Sequence, residues 1–117
     1  MKRRLYVPEH GDLVWITLSP VAGHEQAGRH PALVLVPKSY NRKTGLCVIC
    51  PATRQQKGYA FEVASIGPDG VPSIVLADHL RNVDWKARRA EKMVRVPDEV
   101  LATVVAQLEA LIISPDA

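Results

Sequence analysis

Two apolar runs, Leu13-Val14-Trp15-Ile16-Thr17-Leu18 and Ala32-Leu33-Val34-Leu35-Val36, are held apart by the polar stretch Gly23-His24-Glu25-Gln26-Ala27-Gly28-Arg29-His30-Pro31. Each run is bounded by turn residues and is rich in β-branched or aromatic side chains, the pattern of a buried strand. The connection opens at Ser19-Pro20, carries Gly23 and Gly28, which permit positive φ, and ends at Pro31, which biases His30 toward an extended conformation. The chain is thereby constrained to two core strands joined by a long polar loop. A plain connection needs no Glu, Gln, Arg and pair of histidines, and loops carried on a rigid scaffold are where function concentrates.

The rest of the chain reads as more short strands. Lys38 to Gly45 is a turn-rich connector, and Leu46-Cys47-Val48-Ile49-Cys50 is a strand. A second polar excursion, Pro51 to Tyr59, leads into Phe61 to Ile66, where apolar and polar residues alternate at period two and one face is solvated. Gly67-Pro68-Asp69-Gly70 marks a turn. Ser73 to Ala77 and Met93 to Val96 read as strands, with a charged stretch of short-helix potential, Asp84 to Lys92, between them. The period then changes: Leu101, Val104, Val105, Leu108, Leu111 and Ile112 form one stripe of an amphipathic helix. Pro97 suits its first turn, Asp98 and Glu99 complement its positive end, and Pro115 follows its stop. The expectation is a mainly β (α+β) single domain spanning residues 1–117, a small antiparallel β-barrel with one helix packed on it at the C-terminus.

With 117 residues, 47% of them apolar, the chain suffices for one core. The basic Lys2-Arg3-Arg4 is not followed by an apolar run of signal or membrane-spanning length, so a cytoplasmic protein with no membrane partner is expected. Cys47 and Cys50 have Cys-x-x-Cys spacing, but an offset of three within a strand points them to opposite faces, which argues against a metal site or a disulfide. No cofactor is expected. Net charge is only +3, but it is unevenly spread. No carboxylate lies between Glu25 and Glu62, a span holding Arg29, Lys38, Arg42, Lys43, Arg54 and Lys57. One end of the fold is expected to be positive, as suits a phosphate-bearing partner.

Several separate pieces of this sequence resemble the MazF/PemK family of toxin endoribonucleases, over nearly its full length. They are Gly11-Asp12-Leu13-Val14-Trp15, Glu25-Gln26-Ala27-Gly28 with Pro31-Ala32-Leu33-Val34-Leu35, Tyr40-Asn41, Lys43-Thr44-Gly45, Thr53, Lys57-Gly58-Tyr59 with Phe61-Glu62-Val63, and Leu76-Ala77-Asp78. Their order and spacing make the resemblance specific. It implies an SH3-like barrel of the CcdB/MazF type and a homodimer. It further implies metal-independent, sequence-specific cleavage of single-stranded RNA, inhibiting translation and growth, and neutralisation by a cognate MazE-like antitoxin. Relatives that poison DNA gyrase act through a Trp-Gly-Ile ending, whereas this chain ends Ser114-Pro115-Asp116-Ala117.

Cutting RNA without a metal requires the 2′-hydroxyl to attack the adjacent phosphorus, leaving a 2′,3′-cyclic phosphate and a 5′-hydroxyl. The site must therefore move protons and stabilise a charged phosphorane. Two loops offer cations and hydroxyls: Arg29 and His30 in the first, Thr53, Arg54 and Lys57 in the second. The family's reacting pair is an arginine directly before the proline of a Glu-Gln-x-Gly-x-Arg-Pro loop and a threonine after the third strand. The threonine corresponds to Thr53. The arginine position is His30 here, with Arg29 one residue earlier. Candidate catalytic residues are thus Thr53, His30 and Arg29, and candidate substrate-binding residues are Glu25, Gln26, Arg54 and Lys57. Thr53 can equally bond its own turn, and Glu25 can equally pin its loop. Imidazole can act as a true general base or acid, but it lacks the bidentate fork that guanidinium offers phosphate. Two readings stay open: a slower endoribonuclease with a shifted pH dependence, or a catalytically impaired variant that binds RNA or antitoxin. Tyr40 or Tyr59 could stack a base, Trp15 is expected in the core, and Trp85 at an interface.

Overall fold

The computed structural model describes residues 5–18 and 28–113. Seven strands and two helices follow in the order β1 (Asp12–Thr17), β2 (Arg29–Val34), α1 (Lys38–Thr44), β3 (Leu46–Thr53), β4 (Glu62–Ile66), β5 (Pro72–Leu76), β6 (Arg81–Asp84), β7 (Glu91–Arg95) and α2 (Asp98–Ile113). The ladders run antiparallel in the spatial order β4-β5-β3-β2-β1-β7, with β6 also paired to β3. The sheet curls into a half-barrel, as the expected small antiparallel barrel requires.

β3 is the hub. One edge pairs with β2, while the other pairs with β6 over Leu46–Ile49 and with β5 at Ala52 and Thr53. Pro51 has no N–H to give a ladder, and it falls in the break between the two partners.

Alternation along the strands separates two cores. Leu13, Leu33, Cys50, Ala52, Val63 and Val75 share one with Leu101 and Val104 of α2. Val14, Ile16, Ala32, Val34, Cys47, Ile49 and Val83 share the other with Trp85, and Tyr6 and Val7 pack against it. Cys47 and Cys50 thus face opposite cores, and both are free and buried. Burial pushes each thiol up to about 12. α2 docks through its first turns, and Leu111, Ile112 and Ile113 are left exposed.

Four local expectations are corrected. Lys38–Thr44 is a helix and not a connector, because its cap is remote in sequence: the Lys38 N–H donates to Glu9 Oε1 at 3.0 Å. That bond and the one from the His10 N–H hold the Glu9 carboxyl below its ordinary value, the Lys38 bond more strongly. Buried Asn41 ties the helix inward, its Nδ2 donating to the Pro8 and Val36 carbonyls, and Gly45 closes it at φ 74. The charged stretch after Asp84 is a turn and not a helix, while β6 just before it had no sequence signal. Both tryptophans depart from their expected places. Trp85 is 4% exposed in the core and donates from Nε1 to the Asn41 carbonyl at 2.7 Å, whereas Trp15 is 37% exposed. Finally, Arg29 and His30 belong to β2 and not to the loop.

Candidate active site

The residues on either side of Pro31 acquire their directions from the β1–β2 ladder, which pairs Thr17 with Arg29, Ile16 with His30 and Trp15 with Pro31. Directly paired residues of antiparallel strands share a face, and successive residues alternate. His30 therefore stands on the face of Ile16 and Ala32, while Arg29 stands on the opposite face with Thr17 and Trp15.

The same logic locates Thr53. The β2–β3 ladder pairs Ala32 with Pro51, Leu33 with Cys50 and Val34 with Ile49. The paired stretch ends at Ala32 and Pro51, beyond which Thr53 pairs with Ile74 of β5; by alternation Thr53 shares the face of Pro51 and His30 that of Ala32. Two side chains far apart in sequence are thereby brought to the rim of the second core. They line a cleft of about 590 Å³ that also takes in Trp15, Arg29 and Pro31 from the other face of β1 and β2, together with Pro51, Arg54 and Arg81.

Three polar groups there have defined partners. The Thr53 hydroxyl accepts the Gln55 N–H at 3.2 Å, the self-bonded turn, which leaves its own hydrogen to donate outward. Arg29 lines the cleft, but its terminal nitrogens are fully committed. Nη1 donates to Thr17 Oγ1 at 3.1 Å and the Arg88 carbonyl at 3.5 Å. Nη2 donates to the carbonyls of Trp15 (3.0 Å) and Arg89 (2.7 Å) and to Glu91 Oε1 (2.5 Å). A guanidinium spent in this way has no fork left for a phosphate, unlike what a candidate catalytic role for Arg29 requires. Arg54 is exposed and pairs with Asp69 at 3.8 Å. Lys57 is exposed, and the Glu62 carboxylate holds its segment by accepting the N–H groups of Lys57 and Gly58 at 2.9 to 3.2 Å. Lys57 is not in the cleft wall. Glu25 and Gln26 lie outside the described residues.

Sequence reasoning missed two members of the wall. Trp15 has the hydrophobicity of a core residue, yet it shares a face with Thr17, where the apolar cover of β1 runs out. Arg81 opens β6, a strand too short and polar to carry a period; its pairing with Ile49 was the only guide to its face. Tyr40 and Tyr59 are exposed at 37% and 67%, outside the wall. Among the described residues, no three His, Cys, Asp or Glu side chains gather where they could hold a metal ion, and no helix is long and apolar enough to cross a membrane.

A curled antiparallel sheet with a hydroxyl, an imidazole, guanidinium groups and a half-exposed indole around one open cleft defines a small protein equipped to hold an anionic polymer with stacked bases. Residues 9–112 match the family described as PemK-like, MazF-like toxins of type II toxin-antitoxin systems, and the chain belongs to that family. It is 45% identical to the endoribonuclease toxin MazF of Escherichia coli strain K12, over 92% of this chain and 96% of that one. The crystal structure of MazF from Deinococcus radiodurans superposes with a TM-score of 0.82 at 52% identity, covering 92% of this chain and 97% of that one. A MazE-MazF crystal structure from the same organism gives 0.84 at 51%, covering 94% and 99%.

Proposed function

We propose that this protein is the toxin of a type II toxin-antitoxin system, a sequence-specific endoribonuclease that cleaves single-stranded RNA to 2′,3′-cyclic phosphate and 5′-hydroxyl ends. The observation that carries the chemistry is that His30 of β2 and Thr53 of β3, on neighbouring strands, line one cleft. The curated relatives named endoribonucleases support the reaction class.

In this reading His30 takes the proton from the attacking 2′-hydroxyl or delivers one to the departing 5′-oxygen. Thr53 donates its free hydrogen to a non-bridging oxygen as charge builds on the phosphorane. Trp15 offers an aromatic face for an unstacked base, and Arg54 and Lys57 bind flanking phosphates. Glu25 and Gln26 offer donors and acceptors for base edges. The reaction draws its nucleophile from the substrate itself, so it needs no metal and no cofactor. The MazE-MazF structure at 51% identity supports a cognate antitoxin as protein partner, and we take the protein to be one domain acting as a homodimer in the cytoplasm.

The test is a comparison of wild type with Thr53→Ala and His30→Arg on one RNA across mildly acidic to mildly alkaline pH. Thr53→Ala should lose on the order of a hundredfold to a thousandfold in rate without a change in melting temperature. The wild-type profile should contain a limb that disappears in His30→Arg. If wild type is inert while His30→Arg cuts, the chain is a disabled binder of RNA or antitoxin and the catalytic reading falls.

A further inference from the structure

The cleft contains three arginines, and their engagement differs. Arg29 is saturated by five acceptors, and Arg54 lies past the end of β3 against Asp69. Arg81 is exposed, and no acceptor among the described residues engages its guanidinium.

The face on which Arg81 stands follows from the β3–β6 ladder. Arg81 pairs with Ile49 and Val83 with Cys47, so Arg81 shares the face of Cys47, Ile49, Pro51 and Thr53. Four residues of strand separate Ile49 from Thr53, which puts the Arg81 backbone about 13 Å along the sheet from that of Thr53. Pro51 lies between them on the same face, without a charge or a long side chain to obstruct an approach. A guanidinium on its three-methylene stem spans much of that gap and can meet a phosphate held by Thr53 from the β6 side, while His30 meets it from the β2 side.

This arrangement bears on the chemistry of an imidazole-containing site. His30 is a proton carrier but a poor fixed cation, so the charge of a phosphorane beside Thr53 requires a permanent positive partner from elsewhere. We propose that Arg81 supplies it: Arg81 contacts the scissile phosphate, and the two tasks of proton transfer and charge stabilisation are divided between His30 and Arg81. The inference rests on the endoribonuclease reading above. Its distinctive consequence is a coupling between two residues on different strands. Restoring a guanidinium at residue 30 should make the one at residue 81 largely redundant.

The experiment is a double-mutant cycle under single-turnover conditions with Arg81→Gln, His30→Arg and the double variant. RNA with a 2′-deoxy residue at the cut site serves to measure binding without cleavage. In the wild-type background Arg81→Gln should slow cleavage on the order of a hundredfold, while affinity for the uncleavable RNA falls by less than about tenfold and its log-log salt slope drops by about 0.7. Arg81→Lys, which keeps the charge and loses the fork, should recover part of the rate. In the His30→Arg background the same Arg81→Gln change should cost less than about tenfold. Equal losses in the two backgrounds would make Arg81 an independent binding contact, and a loss below about threefold in the wild-type background would remove it from the site; either overturns the inference while leaving the endoribonuclease reading intact. A wild-type protein that cuts no RNA removes both.

Discussion

Replacing Arg29 by alanine separates a structural guanidinium from a reacting one, and the size of the effect can be worked from its bonds. Three backbone carbonyls, of Trp15, Arg88 and Arg89, and the Thr17 hydroxyl accept from it. Hydrogen bonds of this kind contribute about 1 kcal/mol each, and carbonyls at a half-exposed site regain part of that from water. Glu91 adds little, because its side chain is 72% exposed. The guanidinium also grips the turn on both sides of Arg89, whose φ of 55 is costly for a residue other than glycine. The expected loss is about 2 to 4 kcal/mol out of a total on the order of 5 to 15. In a domain of this size that lowers the melting temperature by roughly 10 °C or more. Thermal unfolding followed by circular dichroism reads it directly, with Arg29→Lys recovering only part and Glu91→Gln moving the midpoint by about 2 °C or less. Below its own melting transition, Arg29→Ala should still cut RNA within about tenfold of wild type. A variant that melts like wild type and has lost about a thousandfold in rate would instead place Arg29 among the reacting groups.

Three more outcomes follow from the geometry. Glu62→Ala should free the N–H groups of Lys57 and Gly58; RNA affinity should weaken severalfold with the single-turnover rate at saturation little changed, as gel-shift and rate measurements would show. Cys47 and Cys50, buried and pushed up to about 12, should resist iodoacetamide at pH 8 in the native protein and react fully in denaturant, as mass spectrometry would reveal. The Glu9 carboxyl is held below its ordinary value by the Lys38 and His10 N–H groups. Its contribution is therefore present above the unfolded carboxyl's range and is lost as pH falls through the lowered folded value. Urea unfolding should show this acid-side loss of stability reduced in Glu9→Gln.

Features fixed by local pattern were legible in the sequence. The runs around Val14, Leu33 and Ile49 alternate or stay apolar over enough residues to read as strands, and the period at Leu101, Val104 and Leu108 reads as a helix. The opposed faces of Cys47 and Cys50 needed only strand geometry. Features decided at a distance were not legible. α1 depends on a carboxylate at Glu9, and β6 depends on an edge of β3 that β5 leaves unpaired. Arg29 and His30 looked like loop residues because Pro31 and Gly28 read as breakers, yet the pairing of β1 continues past the proline to Thr17. That continuation aims the two side chains to opposite faces. The same dependence on pairing hid Arg81 and moved Trp15 and Trp85 from their expected places, since hydrophobicity reports that an indole wants cover but not which face of a sheet runs out of it.

The most direct test of the central claim is end-group analysis of fragments made from a long unstructured RNA by the purified protein in EDTA. Cuts at a defined short sequence are expected, each leaving a 2′,3′-cyclic phosphate and a 5′-hydroxyl, with their loss in Thr53→Ala. Fragments ending in 3′-hydroxyl and 5′-phosphate, or cleavage that appears only when a divalent cation is restored, would contradict it.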